Sequence, residues 1–197
     1  VSPILCYDPV QRVVATLNPN HSWQKVFFDP WRQESWDVND TVLIANPAED
    51  PNVGDFFGRL PADDYLPSWH GARIAGALGT QQQAAAQKTG SHADTPAIVH
   101  MDSLGRMFLT VAHNRLARGG IPVDEFHRTR VVYDIEGNQR EVIDALERVV
   151  MHYDYDMLGS QIHSVSMDAG ERWMLNDVGG QPIRAWDARG HEFRTEY

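Results

Sequence analysis

The chain has one cysteine, Cys6. A lone cysteine excludes an internal disulfide and any zinc site built on several thiolates, and it reads as a buried, inert thiol. Long hydrophobic runs are also missing. No stretch approaches the roughly 18 apolar residues of a membrane-spanning helix. Basic residues are scarce: 17 Lys and Arg stand against 27 Asp and Glu, for a net charge of -10. An acidic chain repels phosphate backbones, so nucleic acid is excluded as a partner and the acids read as surface solvation. There is no Gly-x-Ser-x-Gly elbow, no phosphate-binding glycine loop and no His-Glu-x-x-His pair. No signal-peptide pattern opens the chain.

What the sequence has instead is a repeat. A residue followed by Asp opens a short turn at Tyr7-Asp8, Phe28-Asp29, Met101-Asp102, Tyr133-Asp134, Tyr155-Asp156 and Asn176-Asp177, and Tyr197 stands where the next pair is due. The steps are 21, 73, 32, 22, 21 and 21 residues, so the period is near 21 and the two long steps carry insertions. A period in this range means one supersecondary unit used many times. The chain begins without Met and closes on Tyr197, so we expect it to be a piece of something longer.

Four of the turns read Asp-x-x-Gly: Asp102 with Gly105, Asp134 with Gly137, Asp156 with Gly159, and Asp177 with Gly180. Asp at the first position accepts bonds from the turn's own amides, and Gly at the fourth tolerates positive φ. Together they suit a type I turn closing a bulged hairpin. Asp8 and Asp29 are followed by Pro9 and Pro30, whose fixed φ suits the second turn position. A second series, Asp37, Asp144, Asp168 and Asp187, lies about half a period on. Each unit therefore reads as turn, strand, turn, strand. Strands rich in β-branched and aromatic residues are predicted over Arg12–Leu17, Trp23–Phe28, Phe108–Val111, Thr129–Tyr133, Val149–Tyr155, Ile162–Met167, Arg172–Leu175, Ile183–Trp186 and Phe193–Tyr197, which makes a long antiparallel meander. Residues 139–150 also fit a helical period, but the repeat phase favours two strands around Asp144.

Residues 43–96 interrupt the pattern with Pro, Asp and Gly punctuation and then two predicted helices. Ser68 caps the first, which runs to Leu78; Thr80 and Gln83 form a capping-box pattern ahead of Ala84–Lys88. Phe56, Phe57, Leu60, Tyr65, Trp69, Ile74 and Leu78 are expected to pack this excursion on the sheet. The organisation predicted is hairpins over 1–42, a helical insertion over 43–96, and hairpins over 97–197.

The strings Phe28-Asp-Pro-Trp-Arg32, Tyr133-Asp-Ile-Glu-Gly-Asn138, Tyr153-Asp-Tyr-Asp-Met-Leu-Gly159, Glu171-Arg-Trp-Met-Leu-Asn-Asp177 and Arg184-Ala-Trp-Asp187 resemble the Rhs/YD-repeat family. Within it the chain is similar to large secreted bacterial toxin-type proteins, including the shell-forming B and C components of insecticidal toxin complexes. The resemblance implies a mainly β fold, a YD-repeat hairpin meander forming part of a β-shell spiral with a helical insertion. It implies a non-catalytic, encapsulating role in a secreted or cell-surface protein. The implied partners are other YD repeats of the parent chain or a shell-forming subunit, and an enclosed toxic polypeptide. The family's self-cleavage does not carry over, because Asp50-Pro-Asn-Val-Gly54 places its Gly one residue late and lies in the insertion. On this reading Asp8, Asp29, Asp102, Asp134, Asp156 and Asp177 and the glycines Gly105, Gly137, Gly159 and Gly180 carry structure. No catalytic, cofactor or metal residue is assigned. Unpaired strand edges are expected to favour self-association.

Other readings attach to particular residues. His92-Ala-Asp94, His100-Met-Asp102 and His152-Tyr-Asp154 place His and Asp on one face of a strand, where they could share a metal. Solvated histidines beside turns are the plainer reading. Trp23, Trp31, Trp36, Trp69, Trp173 and Trp186 could stack on sugars or receptors, which makes a surface binding module the alternative function. Packing between hairpins is the plainer use of those rings. A carboxylate hydrolase would need two acids converging in a cleft.

Overall fold

A computed structural model describes residues 2–197. Four strands precede the insertion: β1 (Ile4–Tyr7), β2 (Val13–Leu17), β3 (Trp23–Phe28) and β4 (Arg32–Trp36). Nine follow it: β5 (Ala97–Met101), β6 (Met107–Arg118), β7 (Ile121–Tyr133), β8 (Gln139–Ile143), β9 (Val149–Tyr155), β10 (Gln161–Ser166), β11 (Gly170–Asn176), β12 (Pro182–Trp186) and β13 (Glu192–Arg194). Their order in the sheet is their order in sequence, so each strand hydrogen-bonds its chain neighbours and the fold is an antiparallel meander. Within each unit, connections after odd-numbered strands therefore fall on one edge, and those after even-numbered strands on the other. In the first unit the first edge receives the Asp8 and Asp29 turns and the second Asp37; in the second unit the first edge receives Asp102, Asp134, Asp156 and Asp177 and the second Asp144, Asp168 and Asp187.

The chain divides into two compact units. The first runs to His100 and includes Val111–Phe126; the second comprises Met101–Thr110 and His127–Tyr197. In the first, strand alternation sets the core. Cys6 pairs with Ala15, Ala15 with Lys25, and Leu17 with Trp23, so these side chains share one sheet face. The insertion covers that face. Val53, Phe57 and Tyr65 pack onto Cys6, Ala15, Leu17 and Trp23, with Phe57 edge-on to both Trp23 (5.2 Å) and Tyr65 (5.7 Å). Within the same face Lys25 Nζ meets Asp50 Oδ2 at 2.6 Å with both side chains almost fully buried. Asp50 Oδ1 accepts from the amides of Asn52 and Val53, which starts α1 (Gly54–Phe57). Only glycine fits at position 54, since a Cβ there would lie 2.5 Å from the Ala48 carbonyl.

The insertion differs from its predicted form in three places. Ser68 caps α2 (Trp69–Ile74) by accepting from the Gly71 amide, but the helix stops at Ile74, ahead of Gly76 at φ 80°, and not at Leu78. The Thr80–Gln83 capping box does not form. α3 (Thr80–Gly90) starts after Gly79, Thr80 lies inside it, and Gln83 spends its amide on the Ile74 carbonyl. Leu78 is exposed rather than packed on the sheet.

The second unit is a single layer of hairpins. Among the described residues only Ile143 and His163 are buried in it. Residues 139–150 fold as the two strands β8 and β9 around Asp144. β1, β4 and β5 lie outside the predicted strands; each is only four or five residues long, and β4 has Trp36 as its one apolar residue. β6 and β7 run far longer than predicted. Their tip closes on Gly119-Gly120, where no Asp marks the turn.

Candidate functional site

The turns share one hydrogen-bond plan. The Asp amide donates to the carbonyl of the fifth residue, and the fourth residue's amide donates back to the Asp carbonyl, at Asp8, Asp102, Asp134, Asp144, Asp156, Asp177 and Asp187. Oδ1 accepts from the third and fifth amides: Val10 (3.0 Å) and Arg12 (2.9 Å) at Asp8, Leu104 (2.9 Å) and Arg106 (3.0 Å) at Asp102, and Glu136 (3.0 Å) and Asn138 (2.9 Å) at Asp134. Asp156 and Asp177 accept in the same way. The fourth residue takes positive φ: 75° at Gly105, 95° at Gly137, 80° at Gly159 and 79° at Gly180. Gln11 and Glu147 hold the position without glycine, at 66° and 59°. Asp29 closes a turn one residue shorter, with its amide on the Arg32 carbonyl and Oδ1 accepting from Trp31.

Two members of the edge second series depart from the plan. Asp37 caps a turn that leads into the insertion, accepting from the amides of Asn39 and Asp40. Asp168 caps nothing; at the β10–β11 turn Ser166 Oγ accepts from the Asp168 and Ala169 amides instead.

Sequence reading missed two parts of this device. The first is the fifth residue's side chain. Arg12, Arg106, Asn138, Arg148 and His191 each return a side-chain N–H to Oδ2 of their own turn aspartate, at 2.7 to 3.1 Å. The spacing Asp-x-x-x-Arg was visible in the sequence. These bonds, backbone and side chain, favour the charged carboxylate. The Arg106 amide and guanidinium hold the Asp102 carboxyl below its ordinary value, Arg148 does the same for Asp144, and His191 for Asp187.

The second missed part is the tyrosine hydroxyl. Tyr133 donates to the Met107 carbonyl (2.9 Å), Tyr155 to Gln139 (2.9 Å) and Tyr197 to Pro182 (3.3 Å). Each acceptor lies five residues after the preceding aspartate on that edge. The tyrosine therefore clamps the open end of a hairpin whose far turn is on the other edge. Arg106 also lies over the Tyr133 ring, 4.7 Å from its centre, and Arg12 lies likewise over Phe28 at 4.2 Å.

Titratable groups gather at one further place in the second unit. His163 Nδ1 lies 2.7 Å from Asp154 Oδ2, and Nε2 lies 3.0 Å from Glu171 Oε1. Arg140 reaches Asp154 at 2.7 Å, and His152 stands 3.4 Å from it. The Trp173 indole stacks on the His163 ring at 3.9 Å and donates to Glu171. The hydrogen bond from His163 holds the Asp154 carboxyl below its ordinary range. Of the three His-x-Asp pairs, His152 and Asp154 are the two brought into this cluster, alongside Arg140. Among the described residues no group of three or more His, Cys, Asp or Glu is disposed to hold a metal. No helix there is long and apolar enough to cross a membrane.

The tryptophans divide. Trp23 is core, while Trp31 and Trp173 are about half exposed, so packing between hairpins does not account for all six. Trp173 faces Trp186 across β11 and β12, beside a cleft of about 340 Å³ lined also by Arg172, Met174 and Phe193. In the first unit a second cleft, about 500 Å³, is lined by Trp36, Asp37, Asp40, His92 and Arg115, and burial pushes the Asp40 carboxyl up.

A meander of like-built aspartate turns is the class of fold this geometry defines. Solved structures share the fold. Over 99% of its length the chain is similar to a chain of the Photorhabdus luminescens Tc holotoxin pore (TM-score 0.69, 19% identity), to one of TcdB2-TccC3 (0.69, 20%), and to one of TcdB2-TccC3 without its hypervariable C-terminal region (0.66, 20%). It spans 8% of each of those chains. No family model and no curated protein matches the sequence.

Proposed function

We propose that this chain is a non-catalytic wall segment of a large secreted bacterial toxin-type protein of the YD-repeat kind, forming part of a β-shell that encloses or presents a toxic polypeptide. The aspartates Asp8, Asp29, Asp102, Asp134, Asp156 and Asp177, with Gly105, Gly137, Gly159 and Gly180, set the hairpin edge of that wall. Its partners are further YD repeats or a shell-forming subunit, and the enclosed polypeptide. The observation that carries this reading is the second unit: one layer of hairpins with the same turn and clamp used repeatedly. A hairpin layer with both faces open needs neighbours. The likeness in fold to Tc toxin chains supports the same reading. Light scattering over a concentration series, beside circular dichroism, tests it. A β-rich species whose mass rises with concentration supports a wall segment, and a monomer at every concentration counts against it.

The Trp173–Trp186 pair beside its cleft favours a second reading, a module that binds carbohydrate or a receptor through exposed rings. Tryptophan fluorescence titrated with glycans decides between them. Quenching that is lost in Trp173→Ala would favour the binding module.

A further inference from the structure

The hairpins of the second unit that have their far turns at Asp144, Asp168 and Asp187 are not equally closed. We infer that the β10–β11 hairpin is a seam that opens more readily than the clamped β8–β9 hairpin, and that His163 is the pin that holds the seam shut. Three details converge there. The position that bears the clamping tyrosine in the neighbouring hairpins, at Tyr133, Tyr155 and Tyr197, is Asn176. Its short amide makes no bond to the carbonyl of Gln161, the residue that lies five after Asp156. The far turn of the same hairpin is the one whose aspartate, Asp168, caps no amide. The turns flanking the seam, at Asp156 and Asp177, carry Ser160 and Gln181 in fifth place, and neither side chain returns a bond to its carboxylate. Against this loss stands one cross-tie in mid-strand. His163 on β10 meets Asp154 on β9 and Glu171 on β11, and Trp173 covers its ring. Fluctuations that break few buried contacts open at the lowest free energy, so a hairpin without its clamp, and with Ser166 in place of an aspartate cap, should open below the clamped β8–β9 hairpin.

Residue-resolved amide hydrogen exchange on the full chain tests both parts. Amides of β10 and β11 are expected to exchange faster than those of β8 and β9, which have the clamp. A net hydrogen bond to a carbonyl changes an opening equilibrium about fivefold. Tyr155→Phe should therefore speed exchange in β8 and β9 by about that factor, and Asn176→Tyr should slow it in β10 and β11. His163→Leu should speed exchange in β10 and β11 while leaving β12 and β13 as they were. Equal protection of the two hairpins, or no response of β8 and β9 to Tyr155→Phe, would overturn the seam. Acceleration spread evenly through the unit on His163→Leu would overturn the pin.

Discussion

In the first unit the sheet face bearing Ala15, Leu17, Trp23 and Lys25 is roofed by an insertion that seals Phe57 completely. In the second unit no roof covers the strands among the described residues, and only Ile143 and His163 of those are buried. The same repeat thus stabilises itself in two ways. Where a covering layer exists, apolar burial dominates at about 25 cal/mol per Å². Where it does not, backbone ladders, turn carboxylates and hydroxyl clamps carry the hairpins, and each contributes little alone. A core tolerates loose turns; a bare layer depends on them.

The sharpest way to break this contrast is to hollow the first unit. Phe57→Ala should cost about 3–5 kcal/mol, the range for a fully buried aromatic. Chemical denaturation followed through Trp23, which Phe57 contacts, should show the loss. An effect under 1 kcal/mol would mean that the roof is not the core. Next comes Lys25→Met. It strands Asp50 as an unpaired carboxylate inside the same core, and breaking such a pair by removing one partner costs about 3–5 kcal/mol. Thermal melts of the single variant should lie well below those of the parent. If the melts coincide, water reaches the Asp50 carboxylate in the variant.

The second unit should respond to turn chemistry instead. Gly180 sits at φ 79° with open space around it, so Gly180→Val brings backbone strain and no clash. The expected cost is about 1–2 kcal/mol, readable by urea titration. Unchanged stability would show that the left-handed turn position is not needed there. The smallest effect is on pH. The carboxyls of Asp102, Asp144 and Asp187 are held down in the folded chain. Their contribution is thus present in full above the unfolded value of about 3.9 and is lost as pH falls through the lower folded values. Denaturation midpoints of the second unit should fall with acid across that window. Asp102→Asn should flatten part of the fall.

Much of the fold was legible because the repeat reports on backbone needs. Asp134, Gly137, Asp156 and Gly159 declare their turns through amide capping and positive φ, which depend on local sequence alone. The phase of the repeat also resolved β8 and β9 against a helical period. What stayed hidden was what only partners across strands supply. The hydroxyl of Tyr155 finds Gln139 sixteen residues away, and Glu147 adopts positive φ with no glycine to announce it. His163 gathers Asp154 and Glu171 from strands on either side, a meeting no linear spacing encodes. The false capping box at Thr80 failed for a related reason. Gly79 already turned the chain, and the Gln83 side chain is held away from the helix start by donating to the Ile74 carbonyl of the preceding helix.

The tyrosine clamp has one more consequence. Tyr133 reaches back 26 residues, Tyr155 reaches 16 and Tyr197 reaches 15, yet all three end five residues beyond an aspartate. Chain length can therefore vary between clamp and acceptor without disturbing the clamped end. Like a page set flush to one margin and ragged at the other, the meander keeps every line starting in the same place. Extra residues run off toward the far turn, as in β6 and β7, which lengthen to 12 and 13 residues before closing on Gly119-Gly120.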